Sequence, residues 1–201
     1  MNKQPQDFPE FENRILAALW ADDPERAIEI WREVDPSYGE SSKTPNNLFG
    51  LRLDLRLQRW VMKAVPPQLD RFSAELKKGL RIMAFMQFFN GGERSSERWI
   101  PKGVEWQYRQ EPIVASRMCR FWAQSAVEME NAKNLGCTRK QVLAKNQNTG
   151  SIYDRCSYCA SLRDRGFIPL DDEFEPGIKF PPFRGCIHAK CACRCMVEYV
   201  V

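Results

Sequence analysis

The chain has 201 residues, of which 43% are hydrophobic and 28% are charged, with a formal net charge of +4. This length fits one folded domain, or one domain with an appended module, and the composition excludes a fibrous or wholly disordered protein. The longest stretch without a charged side chain, residues 82–92, is shorter than the about 20 apolar residues that cross a membrane. Because the N-terminal residues also lack the apolar core of a signal peptide, we expect neither a membrane span nor secretion.

Residues 1–40 predict an acidic helical hairpin, since ten of them are acidic and four are basic. One apolar helical face carries Phe11, Ile15, Leu16, Leu19 and Trp20, and a second carries Ala27, Ile30, Trp31 and Val34. Between the two faces, Asp23 suits an N-cap and Pro24 suits the first position of the second helix. A polar loop or hinge is expected over 35–47.

Residues 41–110 predict a basic helical body. Residues 51–57 alternate in hydropathy as a strand would, but the pattern continues as one helical face, which favours a helix that ends at Pro66–Pro67. That face carries Leu53, Leu57, Trp60, Val61 and Ala64. A long second helix is predicted by Leu69, Phe72, Leu76, Leu80 and Met83. It finishes in the aromatic segment 85–89, which suits either the core or a subunit contact, and stops at Asn90.

The uneven charge of the chain has several interpretations. Over residues 41–153, nineteen basic residues outnumber nine acidic ones, which is opposite to the balance over 1–40. Opposite charges indicate ion pairing within the chain or between subunits, or binding of the basic part to an acidic partner or nucleic acid. Uneven solvated surface is the simpler alternative, and we favour it over direct nucleic-acid binding.

Residues 111–201 combine one long predicted helix with a cysteine-rich end. A short alternating strand pattern precedes them at Val104, Trp106 and Tyr108. Pro112 then begins a helix that ends before Gly136, which suits its C-cap. Residues 137–155 predict a turn and a strand that lead into the cysteines.

Six of the eight cysteines lie in the last 46 residues, together with the only histidine. Cys156 and Cys159 form a Cys-x-x-Cys pair, and 26 residues separate this pair from the second half of the cluster. The second half contains Cys186, His188, Cys191, Cys193 and Cys195. Two thiolates at Cys-x-x-Cys spacing can bind one tetrahedral ion, and thiolates with an imidazole suit Zn²⁺ best. We therefore predict a mainly α fold with a small α+β, zinc-stapled C-terminal module over 154–201.

Seven side chains compete for the four positions around one ion. The Cys156 and Cys159 thiolates are the firm pair, His188 and Cys191 form the natural second pair, and two more thiols follow closely. The predicted ligands are drawn from Cys156, Cys159, His188, Cys191, Cys193 and Cys195. Whether a second ion binds, or whether some of the thiols bind no metal, stays open.

Three other interpretations of the cysteines compete with structural zinc. Disulfides need an oxidising compartment, although surplus thiols could be oxidised later, outside the cell. The spacing matches none of the common iron–sulfur runs, and no thioredoxin-like βαβ unit is visible. Cys119 lies outside the cluster, on a predicted helix, and suits the core.

The predicted site is structural, and we expect no enzymatic activity. Hydrolytic zinc needs an open coordination position and a general base, whereas surplus thiolates close the shell. A single histidine removes most acid–base schemes, and neither a phosphate-binding loop nor a dinucleotide-binding glycine motif is present. Asp171, Glu173 and Glu175 are the carboxylates that a metalloenzyme would need, but a solvated loop is the better interpretation of them.

Four landmarks follow one another in the C-terminal half. They are the helix that ends at Gly136, then Asp154-Arg155-Cys156-Ser-Tyr-Cys159, then Pro181-Pro182, and finally His188-Ala-Lys-Cys191-Ala-Cys193-Arg194-Cys195. In this order they resemble the C-terminal part of Mu F-like minor head proteins of tailed bacteriophages, also called head morphogenesis proteins. The chain departs from the family pattern in three places: the adjacent Asp154 and Arg155, the longer interval before the histidine, and a duplicated Cys-x-Cys. The duplication leaves open whether Cys191 and Cys193 or Cys193 and Cys195 match the family's pair.

The resemblance covers about residues 112–199, somewhat under half of the chain. It implies a structural virion protein, made in the host cytoplasm and present in a few copies near the portal inside the head. Its partners would be portal and capsid proteins, and packaged DNA could meet the basic residues of 41–153. The metal module would pack against the 112–135 helix. Residues 1–110 carry no such resemblance.

A zinc-finger-like nucleic-acid-binding or regulatory protein is the alternative. Basic residues around the cysteines would then contact phosphate, namely Arg155, Arg163, Arg165, Arg184 and Lys190. Residues 154–201 contain seven acidic and seven basic residues, and this neutral balance argues against the alternative.

Overall fold

The computed structural model describes residues 8–39, 55–63, 65–90, 99–100, 105–106, 111–143, 157–185 and 195–201. Its helices are α1 (Phe8–Trp20), α2 (Pro24–Arg32), α3 (Leu55–Lys63), α4 (Ala74–Asn90), α5 (Glu111–Asn134) and α6 (Ser157–Asp164), with a 3-10 turn at Pro67–Leu69. Its strands are β1 (Arg139–Leu143), β2 (Ile168–Pro169) and β3 (Met196–Val200). Helices account for 59% of the described residues, which confirms the mainly α prediction.

Helices α1 and α2 form the predicted hairpin. The Asp23 carboxylate accepts a hydrogen bond from the Arg26 backbone N–H at 2.9 Å, so Asp23 is the N-cap of α2. Arg14 on α1 donates two hydrogen bonds to the Glu33 carboxylate, which ties the two helices together. The sequence pattern placed Val34 on the buried face of α2, but in the structure Val34 does not belong to that face. It is 46% exposed because α2 has already ended.

The ambiguous segment over 51–64 is helical where it is described. Helix α3 buries Leu57 and Val61, as the helical pattern predicts, while residues 51–54 and Ala64 lie outside the described ranges. The predicted continuous helix from Leu69 is wrong at its start, since α4 begins only at Ala74. The reason is a helix cap: the Ser73 hydroxyl accepts a hydrogen bond from the Leu76 backbone N–H at 3.2 Å.

A first hydrophobic cluster, here called the helical core, contains residues from each of the five helices α1 to α5. The aromatic segment 85–89 lies inside it, since Phe85 is fully buried and Phe89 stacks on Trp31 with ring centroids 4.4 Å apart. The core interpretation of this segment is therefore confirmed.

Ion pairs connect the acidic and the basic parts of the chain. Arg59 on α3 donates to both oxygens of Glu25, at 2.5 and 2.8 Å, and Lys78 on α4 contacts Asp22 at 2.6 Å. Each such exposed pair contributes at most about 1 kcal/mol. They nevertheless show that the opposite charges pair within the chain.

Helix α5 leads directly into the C-terminal sheet. Gly136 has a positive φ of 78°, and the backbone N–H groups of Gly136 and Cys137 donate to the carbonyls of Lys133 and Ala132. These two bonds form a Schellman motif, so the predicted C-cap is confirmed. β1 then forms the central strand of an antiparallel sheet in the order β2-β1-β3.

A second hydrophobic cluster, here called the C-terminal cluster, lies between α5, α6 and the sheet. Its buried members are Trp122, Val142, Cys159, Leu162, Phe174, Ile178, Phe183 and Val197. Trp122 belongs to α5, and its ring lies 4.5 Å from that of Phe180. The Gln68 side chain also donates to the Pro182 carbonyl at 2.7 Å. The C-terminal module therefore packs against the long helix, as expected.

Two further predictions are only partly covered. Glu105 and Trp106 belong to no strand, and the other residues of 104–108 lie outside the described ranges. None of the helices in the described ranges is both long enough and apolar enough to cross a membrane.

Candidate metal centre

The structure describes two of the six predicted metal ligands. Cys159 lies on α6 and is fully buried in the C-terminal cluster, whereas Cys195 precedes β3 and packs, partly buried, against the same cluster. The other four, Cys156, His188, Cys191 and Cys193, lie outside the described residues. The fold therefore brings one thiol from each half of the sequence motif to the same small cluster.

The chain also returns to α6 just before Cys186. Phe183 is fully buried in the C-terminal cluster, and Gly185 lies so close to the Tyr158 ring that a Cβ atom would come within 2.5 Å of its carbons. In sequence, Tyr158 lies between the two cysteines of the Cys-x-x-Cys pair. Only glycine fits at 185, because any side chain would overlap the ring.

These contacts place the two described residues, Gly185 and Cys195, that flank residues 186–194 in sequence. The segment begins after Gly185, which touches α6, and ends before Cys195, which packs on the cluster that α6 helps to form. It contains the three predicted ligands of the second half that lie outside the described residues. The donor types available here, thiols and one imidazole, fit zinc.

Glu175 is a functional candidate that the sequence analysis missed. Only 7% of it is exposed, so the solvated-loop interpretation is wrong for this residue, although it holds for the exposed Asp171 and Glu173. Its Oε2 accepts a hydrogen bond from the Arg184 backbone N–H at 3.0 Å. In the sequence, the aromatic residue Phe174 directly before Glu175 was the available signal that this part of the loop is buried.

The Glu175 carboxylate lies beside Tyr158 of α6. Burial raises the pKa of Tyr158 to about 12, and the hydrogen bond from the Tyr158 hydroxyl to the Glu175 carboxylate, together with the negative charge of that carboxylate, adds to this shift. The buried carboxylate is therefore close to Tyr158, the residue that separates the two cysteines of the Cys-x-x-Cys pair in sequence.

Lys140 on β1 is a second buried charge that sequence reasoning missed. It is fully buried, its Nζ donates to the Lys179 carbonyl at 2.8 Å, and the same atom lies 5.0 Å from the Phe174 ring centroid. Burial, which removes water from the ammonium group, lowers its pKa from 10.5 to about 8. Lys140 thus anchors the loop that carries Glu175.

We expect Lys140→Met to change how stability depends on pH. Between pH 8 and pH 10.5 the unfolded wild type binds a proton that the folded state has lost, so wild-type stability rises over this interval. The stability of the variant relative to wild type should therefore fall by about 3 kcal/mol from pH 7 to pH 10.5. Urea unfolding at a series of pH values measures this, with the exposed Lys63→Met as control. A pH-independent difference between Lys140→Met and wild type would contradict it.

Cys119 shows the properties of a core cysteine, as predicted. It is fully buried in the helical core, and burial raises its pKa to about 12. A thiol that resists ionisation is a poor metal ligand. It therefore provides a control position for experiments on the other cysteines.

The described arginines of the module make contacts within the chain. Among the described residues, no group of three or more histidine, cysteine or acidic side chains is placed to hold a metal. Arg163 pairs with Asp164, and Arg165 and Arg184 donate to backbone carbonyls. Arg155 and Lys190 lie outside the described residues.

In comparisons with known proteins, no family model, no curated protein sequence and no solved structure matches this chain. The likeness to Mu F-like proteins therefore depends on the motif residues alone and remains a prediction.

Proposed function

We propose that this protein is a structural component of a tailed-phage virion, a minor head or head morphogenesis protein near the portal. A zinc ion would hold its C-terminal module together. The observation that carries the metal site is the meeting of Cys159, Gly185 and Cys195 around one cluster, since it brings both halves of the motif together. The order of the motif residues supports the virion assignment.

The ligands would be the Cys156 and Cys159 thiolates together with two donors from the second half of the motif. Those donors are drawn from His188, Cys191, Cys193 and Cys195. The position of Cys195 against the C-terminal cluster supports including it. Zinc bound there would act as a cross-link between α6 and the segment that precedes β3.

The size of the module explains why it would need a metal. Residues 154–201 contribute strands of two and five residues, and they supply six of the eight buried residues of the C-terminal cluster. One of these eight, Trp122, is supplied by α5. A structural metal replaces the hydrophobic burial that so small a unit lacks.

Metal analysis of the purified protein tests the zinc site. We expect about one zinc per chain, lost in Cys159→Ser and retained in Cys119→Ser, which removes a buried thiol from the other cluster. Two ions per chain would bring Cys186 into the ligand set as well. If the protein contains no metal and its thiols are paired, disulfides rather than zinc hold the module together.

The virion role needs a separate test. Mass spectrometry of purified particles of the phage that encodes this chain should detect its peptides, together with those of the portal and capsid proteins. If the chain is absent from particles and binds DNA with a steep salt dependence, the nucleic-acid-binding alternative is correct.

A further inference from the structure

We infer that two copies of this chain associate through the surface formed by the α1–α2 turn and α3, with Trp20 of each copy entering a pocket of the other. The inference goes beyond the proposed virion role, because it assigns an interaction surface and a partner to residues outside the C-terminal module. It does not depend on the metal centre, since neither Trp20 nor the pocket belongs to the C-terminal cluster.

An open pocket of about 310 Å³ lies between the α1–α2 turn and the second half of α3. Both elements supply its lining residues, which are Asp22, Pro24, Glu25, Arg59, Met62 and Lys63. Pockets that hold a small ligand begin at about 300 Å³. This pocket is therefore large enough for one bulky side chain.

The lining supplies the groups that an indole ring binds. Met62 and Pro24 provide apolar surface, and a methionine sulfur makes favourable contacts with aromatic rings. The cationic groups of Arg59 and Lys63 suit the face of an indole, which carries partial negative charge. The carboxylate of Asp22 suits the indole N–H, which needs an acceptor when the ring is buried.

The same two kinds of contact with tryptophan occur within this chain. The Nζ atom of Lys63 lies 5.4 Å from the centroid of the Trp60 ring. The indole N–H of Trp99 donates a hydrogen bond to the Glu12 carboxylate. A pocket that combines basic groups, carboxylates and apolar surface therefore has the chemistry to bind a further tryptophan.

Trp20 is the tryptophan that is placed to enter such a pocket. All six tryptophans of the chain belong to the described residues, and only Trp20 is exposed, at 46%. Lys78 connects it to the pocket, since its Nζ lies 5.8 Å from the centroid of the Trp20 ring and 2.6 Å from the Asp22 carboxylate. Asp22 lines the pocket, so the exposed ring and the pocket lie on the same surface.

A surface that carries both an exposed ring and a pocket suited to it is complementary to a second copy of itself. In a two-fold dimer the same patch of both subunits meets, so both insertions of Trp20 form at once. The charged residues that line the pocket are two acids and two bases, and two such neutral surfaces do not repel each other. Tryptophan and arginine are also the residue types that most often dominate interface energies.

Sedimentation velocity of the full chain over a range of concentrations tests the inference. We expect a reversible monomer–dimer equilibrium for the wild type. Trp20→Ala removes the inserted ring and Lys63→Glu reverses a charge in the pocket, so each should raise the dimer Kd by more than about tenfold. Val34→Ala should leave Kd unchanged. It is the matched control, because Val34 is also 46% exposed but lies beyond the end of α2, whereas the pocket is at the start of α2.

A mixture of the two weakened variants separates docking of Trp20 from a folding defect. In the mixed dimer, Trp20 of the Lys63→Glu chain enters the intact pocket of the Trp20→Ala chain, so one of the two contacts is complete. We expect the mixture to form dimers at concentrations at which neither variant does so alone. Absence of this recovery would overturn the inference.

The assembly state of the wild type provides a second decision. A chain that stays monomeric at all concentrations would overturn the inference. Assemblies that grow beyond a dimer would also overturn it, because one-sided insertion of Trp20 makes open chains instead of a closed pair. Zinc content measured on the same samples should be equal in all variants, so failure of this inference is distinguishable from failure of the metal centre.

Discussion

Removal of the metal by a chelator should unfold the C-terminal module and leave the helical core intact. Structural zinc contributes an apparent free energy of about 10 kcal/mol or more at neutral pH, whereas the C-terminal cluster is small. Residues 157–201 should become sensitive to protease under reducing conditions. Most of the helical circular dichroism should remain, because α1 to α5 share a separate cluster. Limited proteolysis with mass spectrometry measures both effects.

Two controls make the chelation result specific. Cys159→Ser should already be protease-sensitive in 157–201, so chelator should add nothing to it. Cys119→Ser should respond like wild type, since Cys119 belongs to the helical core. A wild type with the same cleavage pattern before and after chelation would refute the zinc staple.

Phe85→Ala should destabilise the helical core by about 3–5 kcal/mol, as expected for removing a buried aromatic ring. Phe85 is fully buried, and its ring packs edge-on against Phe89, which in turn stacks on Trp31 of α2. The cavity would therefore loosen the contact between α4 and the N-terminal hairpin. Urea unfolding followed by tryptophan fluorescence measures the loss.

Trp20→Ala is the control for removal of an aromatic ring, because Trp20 is 46% exposed. We expect it to cost far less than Phe85→Ala. The two variants should also keep the same zinc content, since neither residue belongs to the C-terminal cluster. A cost for Phe85→Ala below about 1 kcal/mol would mean that the aromatic segment is not the centre of the core.

The elements that were predicted correctly have local causes. Asp23 and Pro24 begin α2, and Gly136 ends α5, because capping depends on the residue type at one position. The start of α4 was misplaced for a related reason. The apolar spacing of Leu69 and Phe72 continues the helical pattern of α4 towards the N-terminus. The N-cap at Ser73 nevertheless makes α4 begin only after these two residues.

The candidate site was only partly predictable. The Cys-x-x-Cys pair is recognisable because its spacing is local, and the second half of the motif because its donors are close together in sequence. Glu175 and Lys140 were missed, since a charged residue in a polar sequence is most often exposed. Their burial depends on Phe174, Phe183 and the packing of α6, which no short pattern contains.

The sequence by itself determined the caps at Asp23 and Gly136, the mainly helical composition and the candidate donors of the proposed metal centre, because each of these depends on neighbouring residues. Only the tertiary structure decided that Cys159 and Cys195 share one cluster, and that Gly185 must lack a side chain beside Tyr158. It also decided that the carboxylate of Glu175 is buried. These are consequences of long-range packing, in which residues far apart along the chain exclude water from the same small volume.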